Sequence, residues 1–507
     1  MGLLFLGTIV LGTLLRLYHL TSISLWHDEA FSALLIRYPW AEMMHRIGLD
    51  VHPPLYYIVL RLWHYGFGDS LLSLRGFSAL CGVLSIIAVY FLAQKAFANR
   101  FVTIATTLLV ATSAFHIQYV TEARMYTFGG LLVLLAALGI EHISSRQDAT
   151  LSGRSFSTTA KLVWYGGFSI LLASLAYTHY YLLFSAAALG VYGLYRQWRV
   201  SRWHVSGYSW IIGSGLFAGI LYIPWLPTFF FQFKQVGAGY WIPPMDRWSI
   251  PSTLWTLLVN WWMPPHYILA ILTIIIVAAG VLVLKRQQSP SKWLAALSFV
   301  APFAGAMLFA VLAKLRGETS SVYLVRYFYY SLPFLSILIA LGLEQIPKRI
   351  IRIALLVLIV GANVTSVWYY WYKLDIEHKQ GITTASQLLA TNVTPQDAIF
   401  VASSFEYFNY QYYNRAVVAP KLYSGGLTKV EQLPHYAGTA LLNDNDLVPD
   451  FATATKPGQT VWILWTTGFG GTKPTVPTNW KQIDEHGYAD VRPYDGTWVI
   501  VTTYKVQ

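Results

Sequence analysis

An α-helical polytopic membrane protein of about eleven transmembrane helices, with a small C-terminal α/β domain outside the membrane, is the fold class this sequence predicts. Three observations carry the prediction. Hydrophobic residues make up 55% of the 507-residue chain and charged residues only 11%, less than half the roughly 25% typical of soluble domains. Apolar runs of about 20 residues, long enough to cross a bilayer core, follow one another to about residue 371. Five basic clusters fall in alternate gaps between those runs: Lys95/Arg100, Arg146/Arg154/Lys161, Arg196/Arg199/Arg202, Lys285/Arg286/Lys292 and Lys348/Arg349/Arg352.

The runs lie at about 2–20, 71–93, 101–118, 125–143, 163–178, 180–195, 208–230, 266–284, 293–313, 326–343 and 350–371. With the N-terminus inside, all five clusters face the cytoplasm, as the positive-inside rule requires, and the C-terminal part lies outside the cytoplasmic membrane. Shifting the count by one span puts most clusters on the wrong side. Residues 163–195 form a run too long for one crossing, and Tyr177-Thr178-His179-Tyr180 splits it into two spans. The N-terminal run has no basic leader and no clear cleavage site, so it reads as a retained span and not a signal peptide. The net charge of +12 and mean hydropathy of +0.48 do not indicate a nucleic-acid partner. The cations sit at the ends of apolar runs, where anionic lipid head groups attract them. The single cysteine, Cys81, allows no disulfide within the chain.

Between the first two spans, residues 21–70 form a long outer loop. Its apolar stretches Ala30–Ile36 and Leu55–Trp63 are too short to span and read as interfacial amphipathic helices. A second outer segment, 231–265, is rich in Trp and Pro, including Tyr240-Trp241 and Trp261-Trp262. It serves either as an interfacial aromatic anchor or as a cover over a substrate. Composition changes at residue 373. Thr383–Thr391 reads as a helix, and Ala398–Ala402, Val461–Trp465 and Trp498–Thr503 read as strands. The chain thus divides into a membrane domain, 1–372, and an α/β domain, 373–507. The sequon Asn363-Val-Thr lies inside a span and reads as chance; Asn392-Val-Thr matters only in a host that modifies such sites.

The outer gaps hold the polar chemistry. Asp28-Glu29 follows the first span. Acids at a membrane interface are costly to desolvate, and a carboxylate here suits either a general base or a divalent-cation ligand. The competing reading is a helix cap near residue 29. His52-Pro53-Pro54 precedes a helix for which Pro54 suits the first position, and His52 offers a hydrogen bond to a substrate. Glu122-Ala123-Arg124-Met125-Tyr126 starts the fourth span; its charges either pair at the surface or supply an acidic ligand and a cation for phosphate. Arg326-Tyr327 starts the tenth span and Arg75 the second, each either snorkelling or holding a phosphate bidentately. Arg16 and His19, near the outer end of the first span, either snorkel or face a polar cavity. No Walker loop, GxSxG, HExxH or CxxC motif occurs, which disfavours a P-loop ATPase, an α/β-hydrolase and a zincin.

In this order, the blocks resemble the GT-C membrane glycosyltransferases, above all glycosyltransferase family 39 with the protein O-mannosyltransferases. The resemblance covers about residues 1–370. It rests on Arg16, on Trp26 with Asp28 and Glu29, on His52-Pro53-Pro54-Leu55-Tyr56-Tyr57, on Glu122-Ala123-Arg124 with Tyr126, and on Arg326-Tyr327 with Pro333. It implies transfer of a hexose or pentose from a polyprenyl-phosphate donor to a lipid, glycan or protein hydroxyl on the outer face, with inversion. Asp28 is the implied general base, and Glu29 either positions substrate or assists it. Glu122 completes an acidic site, His52 contacts sugar or phosphate, and Arg124, Arg326 and Tyr327, beside Tyr126, meet the lipid phosphate. The family leaves a divalent cation (Mg or Mn) open, because no Asp-x-Asp occurs in the 21–70 loop. An outward site also favours a lipid-borne donor, since nucleotide sugars are cytosolic. The alternative reading is a transporter or flippase of lipid-linked sugars. Against it, charges are scarce within the spans and no internal repeat is visible.

Overall fold

The computed structural model describes residues 2–150, 157–201, 205–237, 241–260, 263–317, 321–469, 471–491 and 496–507. Arg154, Arg202, Tyr240, Trp261 and Trp262 lie outside them. All eleven predicted runs are helical, but not all qualify as spans. Among the described residues, eight helices are long and apolar enough to cross a bilayer, or nine if the pair Arg100–Thr112 and Ala114–Val120, bent by 51°, counts as one broken span. Gly2–Leu17 has only 16 residues. Leu182–Ser201 has 20, but carries Arg196, Gln197 and Arg199 in its last turns.

The bend explains the buried Arg16. A helix broken at Ser113 leaves carbonyls without their partners one turn on. Arg16, fully buried, donates to Ala111 O at 2.8 Å and Val110 O at 3.0 Å, and lies 3.1 Å from His116 Nδ1. It therefore neither snorkels nor faces a cavity. Gly12 and Gly82 leave room for it: a Cβ on Gly82 would meet Val120 Cγ2 at 2.6 Å and Arg16 Nε at 3.3 Å. Asn363, the residue of the intramembrane sequon, completes the repair. Its Oδ1 accepts from Ala114 N at 3.0 Å and its Nδ2 donates to Leu258 O at 2.8 Å.

Hydrogen bonds gather the basic gaps at one end of the bundle. Ser289 Oγ donates to Ala96 O at 2.9 Å, and Asn99 Nδ2 to Glu344 Oε1 at 3.3 Å. Arg196 is buried there against Tyr192 Oη at 2.9 Å and Glu141 Oε2 at 3.4 Å.

At the other end lie three short helices, His27–Leu35, Trp40–Leu49 and Leu55–Phe67. The second of them escaped the sequence reading. Pro54 precedes the third helix as its cap residue and is not its first residue.

The C-terminal part contains a six-stranded sheet in the order β3-β2-β1-β4-β6-β5. Its strands are β1 Ala398–Val401, β2 Lys421–Tyr423, β3 Leu447–Val448, β4 Thr460–Thr466, β5 Trp480–Asp490 and β6 Thr497–Val506. β1 to β4 pair in parallel, with Val401 opposite Leu464, and β6 joins antiparallel to both β4 and β5. The three strands legible in the sequence are the three central apolar ones. The long edge strand β5 is exposed along most of its length and lacks the apolar alternation that marks a half-buried strand.

The helix Ser404–Tyr413 docks this domain onto the short helices. His27 packs its ring 5.1 Å from Phe405 and 5.5 Å from Phe408. Leu25 N donates to Tyr413 Oη at 2.9 Å, Tyr412 Oη donates to Asp69 O at 2.7 Å, and Arg46 Nη1 donates to Ala440 O at 2.9 Å. Glu406 is buried in this helix and accepts from Asn409 Nδ2 at 2.9 Å. Burial first, then Asp490, pushes its carboxyl up to about 8. The proton is bound more tightly in the folded state, so its stabilising effect is full at acid pH and is lost as pH rises through about 8. Thermal unfolding is therefore expected to drop from pH 6 to pH 9 in the wild type and to stay flatter in Glu406→Gln. Parallel pH curves would refute this assignment.

Candidate active site

The site begins with the His27–Leu35 helix. Trp26 precedes it with extended geometry and no side-chain capping bond. Asp28 and Glu29 both lie in the first turn, where the helix dipole favours anions, so neither is the cap. Consecutive residues project about 100° apart around a helix, and the two carboxylates go separate ways.

Glu29 turns inward and is completely buried. Arg75 Nε and Nη2 donate to its two oxygens at 2.9 and 2.8 Å, and Ala123 N donates to Oε1 at 2.8 Å. Arg75 also donates to the carbonyls of Leu20, Ile23 and Ser24 at 2.7–3.1 Å. One buried ion pair thereby ties the Leu71–Phe97 span, the 20–24 turn, the start of the Asp28 helix and the Ala123-Arg124 turn together.

Asp28 turns outward, its side chain 24% exposed, with Arg326 Nη1 at 3.2 Å. The Arg326 guanidinium lies 5.2 Å over Trp26 and 5.8 Å over Trp241. Arg124 Nη1 donates to Asp28 O and Ser32 Oγ at 3.1 Å each and to Tyr57 Oη at 3.4 Å. Its Nη2 lies 3.3 Å from His52 Nε2, and His52 Nδ1 lies 2.9 Å from Asp50 Oδ2. A guanidinium only donates, so Nε2 accepts and the Nδ1 proton points at Asp50. Burial raises the Asp28 carboxyl, but Arg124, then Arg326, His27 and His52 outweigh it and hold it below its usual range.

These groups line a cavity of about 350 Å³ between the membrane helices and the C-terminal domain. Asp28, Asp50, His52, Arg124, Tyr126, Arg326 and Tyr327 form its membrane side, while Phe405, His435, Tyr436, Gly438 and Phe469 close it from above. Beside it lies an apolar cavity of about 300 Å³ walled by Tyr181, Leu183, Phe184, Phe229, Phe233 and Phe309. Val51, His52 and Tyr327 line both.

Of the residues singled out from sequence, Asp28, His52, Arg124, Tyr126, Arg326 and Tyr327 meet at the cavity. Glu29 and Glu122 do not line it. Glu122 is buried, and its backbone carbonyl accepts from Ser78 Oγ at 2.7 Å. Asp50 and His27 escaped sequence reasoning, although Asp50 stands two residues before His52. Trp241 belongs to the 231–265 segment and lines the cavity, which favours the covering role over simple anchoring for that residue. The C-terminal residues carried no sequence signal, because they meet the site only through domain docking.

Among the described residues no group of three or more His, Cys, Asp and Glu is placed to hold a metal ion. Asp28 instead faces guanidinium groups. This donor set fits an anion such as phosphate and does not fit a divalent cation.

No protein-family model matches the chain, and no curated protein sequence does. Solved structures do match. ArnT from Cupriavidus metallidurans in the apo state superposes with a TM-score of 0.58 at 14% identity, covering 99% of this chain and 97% of that one. The same protein bound to undecaprenyl phosphate gives 0.56 at 14% identity over the same shares. This chain has the fold of ArnT over nearly its whole length. The likeness to ArnT extends past residues 1–370, since the matched length includes the C-terminal domain. The oligosaccharyltransferase of Archaeoglobus fulgidus matches at TM-score 0.48 and 13% identity, over 91% of this chain and 67% of that one, too distant to bear on the site.

Proposed function

We propose that the protein is a glycosyltransferase that moves a sugar from a polyprenyl-phosphate donor to an acceptor hydroxyl at the outer face of the cytoplasmic membrane. The supporting observation is the junction of the two cavities. The charged one offers two guanidinium groups to an anion, and the apolar one next to it offers aromatic and aliphatic walls. An amphiphile with a phosphate head and an isoprenoid tail has matching parts, meeting at Val51, His52 and Tyr327. The sidedness rests on the basic clusters.

In this reading Asp28 accepts the proton of the attacking hydroxyl, and attack opposite the leaving phosphate inverts the anomeric carbon. Arg124 and Arg326 stabilise the charge that develops on the phosphate, an electrostatic contribution that is commonly the largest in such reactions. Glu29 acts at one remove, by holding Asp28 in place.

The test offers the purified chain a panel of polyprenyl-phosphate sugars with hydroxyl acceptors, with and without EDTA. Formation of a glycosylated acceptor and free polyprenyl phosphate is expected. Movement of an intact lipid-linked sugar across the bilayer, with no covalent product, would establish the flippase reading instead.

A further inference from the structure

The mechanism above gives neither Asp50 nor the ring nitrogens of His52 a part in the proton transfers. Asp50 Oδ2 holds His52 Nδ1 at 2.9 Å, while His52 Nε2 faces Arg124 Nη2 at 3.3 Å. His52 also lines both cavities, so it stands where the head of an amphiphile meets its tail. We propose that His52 is the proton donor to the departing lipid phosphate and that Asp50 is the positioning residue that makes it one. This rests on the transferase reading.

Without substrate, Arg124 occupies the acceptor lone pair of Nε2. A phosphate entering the cavity draws the Arg124 N–H groups onto its own oxygens, since charge-assisted bonds to phosphate are the stronger ones. Nε2 then loses its donor and takes up a proton. The resulting imidazolium lies between two anions, the Asp50 carboxylate and the bound phosphate. An aspartate fixing the tautomer of a histidine and stabilising its cation is the arrangement that serves acid–base steps elsewhere.

In the transfer step the bond from the anomeric carbon to the lipid-phosphate oxygen breaks, and a bond to the acceptor oxygen forms. The acceptor proton passes to Asp28. The electron pair of the broken bond stays on the phosphate, which takes the Nε2 proton. Asp28 then loses its proton to water, and His52 regains one. The other groups facing His52 are cationic or neutral apart from Asp28. Arg124 lies on Nε2, and the His179 ring is 6.1 Å away. His435 and Asp28 act on it through space, and Gln232 Nε2 donates to its carbonyl at 3.4 Å. Asp50 is the anion in direct hydrogen-bond contact with the ring.

The test uses the full chain in nanodiscs and undecaprenyl phosphate as the probe, so no sugar need be known. Affinity is measured from pH 5.5 to pH 9. The wild type is expected to bind about tenfold more tightly than His52→Gln at the acid end, and equally at the alkaline end. Asp50→Asn is expected to lose most of the acid-end advantage of the wild type, because the ring no longer has the carboxylate that fixes its tautomer and faces its cation. His52→Lys keeps a permanent cation and should bind tightly at both ends, which guards against a variant that merely misfolds. The lipid's own titration is common to every variant and cancels in the comparison. Identical pH dependence in wild type, His52→Gln and Asp50→Asn would overturn the Asp50–His52 assignment and leave the transferase reading standing. Absence of undecaprenyl phosphate binding to folded wild type would overturn both.

Discussion

Asp28→Asn is expected to leave the chain folded and to lower sugar transfer by about 10²–10⁴-fold, the usual contribution of a positioned general base. The side chain is half-buried at the cavity wall and is held through Arg326. The backbone carbonyl of Asp28, not its carboxylate, receives Arg124, so the variant keeps that bond. Initial rates with a saturating donor, beside a monodisperse elution profile, check the prediction. A folded variant with wild-type rates would remove Asp28 from the chemistry. The pH dependence adds a second readout. The base form is needed, and Arg124 and Arg326 hold the carboxyl below its usual range. Transfer attributable to Asp28 is therefore retained to lower pH than an ordinary aspartate would allow.

The second large effect concerns stability. Arg75→Leu strands the Glu29 carboxylate in a site with no solvent access, and breaking a buried pair from one side costs about 3–5 kcal/mol. It also orphans the Leu20, Ile23 and Ser24 carbonyls that Arg75 serves. A large fall in folded yield and in unfolding temperature is expected. The double variant Glu29→Met/Arg75→Leu should recover part of that loss, because no unpaired charge is left. It should still transfer poorly, because the helix start that aims Asp28 has lost its anchor. If either single variant is as stable as wild type, the pair is not the clamp described. If the double variant transfers at the wild-type rate, Glu29 does not position Asp28.

Adjacent acids illustrate what a sequence leaves open. Asp28 and Glu29 are chemically alike and share one helical turn, and the resemblance gave both a catalytic part. The structure separates them by helical geometry, one to the cavity and one to Arg75. Glu122 is a similar case: its block marks the right turn, but Arg124 reaches the cavity and Glu122 does not. Arg16 was legible as unusual and illegible in role, because the carbonyls it serves lie about 95 residues away and are exposed by a bend at Ser113. Two predicted crossings, Gly2–Leu17 and Leu182–Ser201, are helices that fall short in length or apolarity, since a hydropathy run does not report where its polar end is buried.

The sequence by itself determined that this chain is a multi-span helical protein with a mixed C-terminal part, and that Asp28, Arg124 and Arg326 share one end of the bundle. Apolar run length and charge position are local properties, and the bilayer makes them decisive. Only the tertiary structure decided which of those groups meet. Asp50 joins His52, Trp241 covers Arg326, and Phe405, His435 and Phe469 close the cavity from the other domain. The Asp50–His52 contact is local, but the others depend on docking between segments far apart in the chain, whose free energy is spread over packing that no short motif records.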